Sequence, residues 1–534
     1  MASKWTQMAP ILSTFISFSL SLSLFFFFFF ISSHNSYSFN TGLFVALYTT
    51  VTFKIEFHQF FVNIDHHLLL TFNLLIVSKL KLMLNKMLCL TLVYYLTVLP
   101  FIFQLNLINC DIYNQHKSFV NHRLYSVDVK GDNTVSSLFN DLRETVDLDI
   151  WSEPSPFNSK LTFRVDPRYH RRVDSFLNST NLKYHVVTND LQKWIERERL
   201  ENNMDLKNAY SPGRFHSAEF RLDYYHTYEE INDYMSYLQT KYPDMVEVIN
   251  FGETYEFHKI NGLKIGKKSN DTKPAIWIDA GIHAREWIAP ATAVYMMYKL
   301  TEKHEAEPII GQLVEKFDWY IIPIVNPDGY MYTWWSNRLW RKNRALPKAV
   351  PIRYPWNLFE ECIGTDPNRN FDIDFGGYST SPNPCSEMFK GDKAFSEKES
   401  QAVRDGVQKL GKSLKVFLTL HSYSQLWMIP HAFTTQHSPH HEELYEILKN
   451  VSASVKQVHG ETYRFGPMAT TIYPCSGSSP DWVYSRVGIK YSFIVELRDK
   501  GEHGFILPRD YILPTAEETW EGVKTLVDLI KLDE

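Results

Sequence analysis

The run Ala275-Ile276-Trp277-Ile278-Asp279-Ala280 is followed by Gly281 and then by His283-Ala-Arg-Glu286-Trp287. A short, nearly continuous apolar run that stops at a glycine reads as a strand buried on both faces of a sheet. Such a strand needs helices above and below it, so the segment commits this part of the chain to an α/β layer architecture. Ligand sites in open α/β sheets lie at the carboxyl ends of the strands, where His283 and Glu286 fall. An imidazole nitrogen and a carboxylate oxygen are both accepted by zinc, and a catalytic zinc takes three protein ligands and keeps one position open. A His-x-x-Glu spacing also occurs often by chance, and the rest of the chain has to decide.

Strands and helices alternate around that segment. Strands are expected at Val246–Thr254, Lys264–Lys268, Ala275–Ala280, Trp319–Val325, Val416–Leu420 and Ser492–Leu497, and helices at Glu229–Lys241, Pro290–Leu300, Ser396–Gly411 and Pro439–Val458. A last helix is expected to begin with the capping box Thr515-x-x-Glu518 and to bury Trp520, Val523, Val527 and Ile530. The prediction is an α/β domain with a mixed central sheet covered on both faces, from about Phe215 to the end of the chain at 534.

A smaller unit precedes it. Leu124–Val129, Leu148–Trp151, Lys160–Val165 and Tyr184–Thr188 read as strands, and Val135–Val146 and Pro167–Ser179 as helices. That order is a ferredoxin-like βαββαβ unit within residues 111–214. Asp190 is placed to cap a charged helix that runs into the polar stretch Lys207 to Arg214, where exposed chain invites proteolysis. Further upstream, Phe25–Phe30 looks like the translation of a T-rich tract, so residues 1–86 are expected to be a gene-model extension with initiation at Met83 or Met87. Residues 87–110 read as a signal peptide: Lys81 and Lys86 give a basic flank, and Leu88 to Leu107 is almost wholly apolar. A membrane anchor is the competing reading, because Leu88–Ile108 is about long enough to span a bilayer. No basic stop-transfer flank follows, which favours export.

With 534 residues the chain is too long for one ordinary core. A formal charge of −5 and the lack of a basic block argue against nucleic acid as the main partner. Of the five cysteines, Cys362 and Cys385 read as a pair flanking a Gly- and Pro-rich loop, a disulfide suited to an oxidising compartment. The sequons at Asn178, Asn270 and Asn450 are consistent with that.

A second apolar strand, Val416 to Leu420, also ends in histidine, at His421-Ser422-Tyr423. Two such strands side by side would complete a His₂Glu set. At this point the chain resembles the zinc metallocarboxypeptidases, specifically the secreted, proenzyme-bearing carboxypeptidase A/B subfamily, whose use of His₂Glu zinc is established. The resemblance covers residues 111–534, propeptide included. It rests on His283-Ala-Arg-Glu-Trp, Asn326-Pro-Asp-Gly-Tyr330, Arg338-Leu-Trp-Arg-Lys342, Asp366-Pro-Asn-Arg-Asn370, His421-Ser-Tyr-Ser, Ile472-Tyr473 and Glu496-Leu-Arg-Asp499, in that order.

The resemblance implies one Zn²⁺ per chain on His283, Glu286 and His421, with Asp366 orienting His283. It implies Glu496 as general base and Arg341 as the cation facing developing oxyanion charge. Asn368, Arg369 and Tyr473 would hold the substrate's terminal carboxylate, with Tyr473 on a loop that closes, and Arg285, Ser422 and Tyr423 would contact substrate upstream. Trp334, Trp335 and Trp340 are left as packing residues. The pocket for the departing residue is expected to be lined by Ala432, Met468, Ser478, Pro480, Ile494 and Phe505. Pro480 stands where an acid would select Lys or Arg; it is uncharged, so apolar or aromatic C-terminal residues are expected. Cys475, two residues after Tyr473, has no obvious partner.

The expected protein is therefore a secreted, monomeric zymogen, cut by a trypsin-like protease near Lys207 or Arg214, acting on peptide and protein C-termini, with no nucleic-acid partner and no membrane attachment once mature. An amidohydrolase acting on small acyl-amino acids is opposed by Asn368, Arg369 and Tyr473 and by the propeptide. A non-catalytic scaffold is opposed by the presence of all of His283, Glu286, His421 and Glu496.

Overall fold

The computed structural model describes residues 116–129, 148–155, 158–180, 182–209, 220–346 and 362–532, together with Leu142 and Val146. The expected extension at 1–86, the signal peptide at 87–110, most of the Val135–Val146 helix and the stretch from Tyr210 to Arg214 lie outside the described residues.

The N-terminal unit is a four-stranded antiparallel sheet. β1 (Arg123–Asp128), β2 (Leu148–Ser152), β3 (Lys160–Val165) and β4 (Lys183–Thr188) pair in the order β2-β3-β1-β4. This is the ferredoxin-like strand order, with α1 (His170–Ser179) connecting β3 to β4. Val173 and Leu177 of α1, four apart and therefore on one helix face, pack on Tyr125, Val127, Leu161 and Phe163. Each such burial is worth roughly 1.5–3 kcal/mol over exposure. α2 (Gln192–Ala209) leads out of the unit. Asp190 does not cap it; its Oδ1 accepts the N–H of Asn121 at 3.1 Å, tying the helix entry to the start of β1.

In the larger part, α3 (Tyr228–Lys241) starts on a complete capping box between Thr227 and Glu230. There follow β5 (Val246–Glu253), β6 (Lys259–Ile265), β7 (Ala275–Ala280), α4 (Ile288–Glu302), α5 (Pro308–Lys316), β8 (Asp318–Ile322), α6 (Pro327–Trp335), α7 (Lys398–Leu410), β9 (Leu414–Ser422), β10 (Leu426–Ile429), α8 (His441–His459), β11 (Arg464–Pro467), β12 (Tyr491–Leu497) and α9 (Ile512–Leu529). The eight strands form one mixed sheet in the order β11-β10-β12-β9-β7-β8-β6-β5. Its centre, β12, β9, β7 and β8, is parallel. Every residue of β7 is buried, as its apolar run requires. One core layer joins α4, α8 and α9 to the sheet through Ala293, Met297, Val451, Val455, Trp520 and Val523. A second lies on the opposite face around Trp277, Phe417, Val403 and Val407.

Three expectations shift. The Lys264–Lys268 strand is displaced to Lys259–Ile265. The last helix begins at Ile512, so Thr515 and Glu518 lie inside it: Thr515 Oγ1 donates to the Tyr511 carbonyl at 2.6 Å, and Glu518 is ion-paired with Arg498. β10, β11, α5 and α6 were not anticipated. The Cys362–Cys385 disulfide is formed, and Cys475 is the free cysteine among the described residues. No described helix is long and apolar enough to cross a membrane.

Candidate active site

The carboxyl ends of β7, β9 and β12 lie side by side, and each delivers a functional side chain. Leu420 pairs with Ala280 of β7, and His421 lies opposite Glu496 of β12. After β7 the chain turns at Gly281, whose φ of +63 is favoured by glycine and whose missing Cβ would meet the Pro323 carbonyl oxygen at 3.1 Å and Ile324 Cα at 3.2 Å. That turn brings His283 back over the strand ends, and Glu286 follows within the same loop just before α4.

His283 Nδ1 lies 2.8 Å from Glu286 Oε1, and His421 Nδ1 lies 3.1 Å from both His283 Nδ1 and Glu286 Oε2. Two imidazole nitrogens facing each other beside a carboxylate are three lone-pair donors converging on one point, all three residues buried. This donor set fits zinc. The other nitrogen of His283, Nε2, is 3.1 Å from Asp366 Oδ1, the outer-shell carboxylate arrangement that orients a ligating histidine. The second oxygen of Asp366 accepts from Arg341 Nε at 3.1 Å and Nη2 at 2.8 Å. Burial works to raise the carboxyl of Asp366, but Arg341 and His283 hold it well below its usual value. Glu286 is likewise held down by His283 and His421 against its own burial, while burial lowers His421. The shifts of Glu286 and His421 favour the unprotonated form that metal ligation requires.

Glu496 lines the cleft in front of these donors. Burial and then the Glu286 carboxylate push its carboxyl well above the ordinary range. A cation among the three donors would work in the opposite direction. Arg341 Nη1 is 3.8 Å from Glu286 Oε1 and faces the same cleft. Arg369 is buried, with Nε on the Ser379 carbonyl at 2.9 Å, Nη1 on the Asn368 carbonyl at 3.0 Å and Nη2 3.5 Å from the Tyr473 hydroxyl. Asn368 Oδ1 accepts the N–H of Ser479 at 2.9 Å, which fixes the side chain beside Arg369.

The cleft has a volume of about 360 Å³. One side is apolar: Met428, Met468, Ile472, Cys475 and Ile494 line it, with Leu426 and Ala432 packed in the same cluster. Of the residues expected there from sequence, Met468 and Ile494 line this side and Ala432 backs it. Ser478 and Pro480 are buried and do not border the cleft, and Asp481 turns its Oδ2 onto the N–H groups of Ala432 and Phe433. Phe505 also lines the cleft but not on this side: it is edge-on to Tyr423 and under the Arg285 guanidinium at 4.0 Å. Ser422 borders the cleft, and its N–H donates to Glu286 Oε2 at 3.2 Å. Sequence reasoning missed Met428 and left Cys475 unplaced; both depend on how β10 and the Tyr473 loop cross.

The N-terminal unit forms the roof. Asp149 of β2 is buried, with Oδ1 accepting from Arg285 Nη1 at 2.9 Å and Oδ2 accepting from Arg164 Nε at 3.0 Å. Trp151 meets Phe505 edge-on at 5.1 Å. On α2, Glu198 takes a two-pronged pair from Arg338, at 2.5 Å and 2.9 Å. None of these cross-unit contacts was anticipated.

Comparison with known proteins agrees with this arrangement. Residues 231–522 match the zinc carboxypeptidase family and residues 125–198 match the carboxypeptidase activation peptide. The chain is 38% identical to carboxypeptidase A4 of Mus musculus over 77% of this chain and 94% of that protein. It is 34% identical to carboxypeptidase B of Bos taurus over 81% and 99%. Among solved structures it is similar to thrombin activatable fibrinolysis inhibitor, with a TM-score of 0.67 and 32% identity over 77% of this chain and 98% of that one. Carboxypeptidase A from Helicoverpa armigera gives a TM-score of 0.68 at 26% identity, over 78% and 98%. A three-donor site at the strand ends, roofed by a unit that is itself recognised as an activation peptide, has one reading: the chain belongs to the zinc carboxypeptidase family and is made as a zymogen.

Proposed function

We propose that this zinc carboxypeptidase is a secreted exopeptidase that removes apolar or aromatic C-terminal residues, with one zinc held by His283, Glu286 and His421. Bound there, zinc supplies the Lewis acidity that polarises the scissile carbonyl and acidifies water. Glu496 takes the proton of the attacking water and returns it to the leaving amine nitrogen, the work of a carboxylate at the edge of the cleft. Arg341, locked by Asp366, faces the oxygen on which negative charge develops. Arg369, flanked by Asn368, binds the terminal carboxylate, and Tyr473 closes over it. Arg285, Ser422 and Tyr423 contact the residues upstream once the activation peptide has left. Activation is by a trypsin-like cut after Lys207 or Arg214, and the mature enzyme, starting near Phe215, is a monomer.

The observation that carries the preference is the apolar side of the cleft. Met428, Met468, Cys475 and Ile494 offer no anion, and Asp481, whose Oδ2 accepts the N–H groups of Ala432 and Phe433, does not line the cleft. A substrate Lys or Arg buried there would be an uncompensated charge, costing about 3–5 kcal/mol or roughly 10²–10⁴-fold in kcat/KM. The test is the activated protein on peptides that differ only in their last residue. Phe, Tyr or Leu should be released faster than Lys or Arg by about that factor; faster release of Lys than of Phe would assign the chain to the basic-specific type. Secretion is supported by the expected signal peptide and by the disulfide, and is checked by recovering the protein from the medium of expressing cells.

A further inference from the structure

We propose that the entry to α8 carries a second metal site, distinct from the catalytic one, in which His437, His441 and Glu442 bind a borderline divalent cation such as Cu²⁺ or Zn²⁺. One ligand atom from each of the three lies within 4.8 Å of the other two, the spacing of a chelating cluster. The His437 and His441 rings overlap with centroids 3.6 Å apart and planes inclined by 22°. Two imidazoles pressed together in this way repel if both are protonated, which favours the neutral rings that can act as ligands. His441 Nδ1 is buried with no hydrogen-bond partner, so that ring nitrogen is not committed within the protein.

The surrounding groups are already committed. His440 Nδ1 is 2.8 Å from the Tyr484 hydroxyl, His431 Nδ1 is 3.3 Å from the Gln436 carbonyl, and Glu443 is paired with Lys490 and Tyr491. His437, His441 and Glu442 are left as a free set. The site is half-open, with His437 and Glu442 exposed and His441 partly covered, so water can complete the coordination shell. The positive end of α8 opposes a cation, and the carboxylates of Glu442 and Glu443 in its first turn offset that.

The chemistry of the set selects the ion. Two imidazoles and one carboxylate suit Cu²⁺, Ni²⁺ and Zn²⁺ rather than Mg²⁺ or Ca²⁺, and copper should bind most tightly. Glu256, His258 and Asp328 form a similar cluster on paper, but Asp328 Oδ1 already accepts from Thr254 Oγ1 at 2.5 Å and from His258 Nδ1 at 2.8 Å, and its Oδ2 accepts the N–H of Glu256 at 2.9 Å. Both oxygens of Asp328 are thus taken by a hydroxyl and a backbone N–H that a cation would have to displace, so that cluster serves as the control.

The test is titration of the zinc-loaded zymogen with Cu²⁺ and, separately, with Zn²⁺, followed by calorimetry and by the electron paramagnetic resonance of the bound copper. One further equivalent should bind, copper more tightly than zinc, with nitrogen hyperfine structure from two imidazoles. His437→Ala or His441→Ala should weaken it about tenfold or more and simplify the hyperfine pattern, Glu442→Gln should weaken it less, and His258→Gln should leave it unchanged. No further equivalent below about 1 mM, a copper signal without imidazole nitrogen, or binding unaffected by both histidine variants would overturn the proposal.

Discussion

Replacing Asp149 with Ala should loosen the activation peptide after cleavage. The Asp149 carboxylate is shared between Arg285 at 2.9 Å in the catalytic domain and Arg164 at 3.0 Å in the activation peptide, and Trp151 Nε1 donates to it at 3.1 Å. Asp149 and both arginines are at least nine-tenths buried, and Arg285 Nε has no partner. Removing the carboxylate takes its charged partner from Arg285, whereas Arg164 keeps His122 Nδ1 at 2.9 Å, and breaking one buried pair costs about 3–5 kcal/mol. The share belonging to Arg285 is lost from the interface, so the cut peptide's dissociation constant should rise by roughly 10²–10³-fold. The share belonging to Arg164 weakens the peptide's own fold. A double-mutant cycle with Arg285→Ala, read from dissociation of the cut peptide on dilution, separates the two. Glu198–Arg338 and Trp151–Phe505 remain in the variant, so the complex weakens rather than vanishes. The same pair sets an acid limit. Against its burial, Arg285 and Arg164 hold the Asp149 carboxyl at about 2, below the ordinary 3.8. A depressed carboxyl stabilises the complex fully above its unfolded value and loses that contribution as pH falls through the folded one. The cut peptide should therefore stay bound at pH 5 and let go between about pH 4 and 2. Dissociation of the Asp149→Ala complex within threefold of the parent, together with zero coupling in the cycle, would refute the reasoning.

Glu496→Gln should retain zinc and bind substrate while turnover falls by several orders of magnitude, because the amide keeps the shape and cannot accept a proton; activity within tenfold of the parent places the base elsewhere. Asp366→Asn should lower zinc affinity about 10–100-fold in competition with a chelator, since His283 loses the carboxylate that orients it; unchanged affinity would refute that role. Glu399, buried beside Glu397, has its carboxyl pushed up to about 8 by burial and then by that neighbour, and both share the amide of Asn343 at 2.8 Å. Because the unfolded chain gives up this proton first, near 4.5, stability should decline as pH rises from there to 8, and Glu399→Gln should gain on the parent by on the order of a few kcal/mol in urea unfolding at pH 9 and by little at pH 4.

Some of this molecule is legible in one dimension, and the reason is local. β7 and β9 are buried on both faces, so they appear as nearly continuous apolar runs, and their carboxyl ends point to His283 and His421 without any knowledge of the fold. β10 and β11 have four residues each, too few to show a period, and the Gly466-Pro467 end of β11 reads as a turn. α6 was hidden by the same ambiguity: Asn326, Pro327 and Gly329 look like a turn, yet Asn326 caps the helix by accepting the Gly329 N–H and Pro327 sits in its first turn. Thr515 and Glu518 show the converse, a start signal in the middle of a helix, because Glu518 is there to meet Arg498 across the sheet edge. The apolar side of the cleft follows the same logic. Met468 and Ile494 can be picked out by position relative to the motifs, whereas Met428 reaches the cleft only because β10 runs antiparallel to β12, which sets Met428 opposite Ile494. The contacts that make the protein a zymogen lie furthest from local pattern. Asp149 and Arg285, or Glu198 and Arg338, are charged residues in separate units with no periodicity linking them. Asp149 and Glu198 would be read as solvated surface charges, and Arg285 as a substrate contact, until the activation peptide is laid over the cleft and both members of each pair are removed from water together.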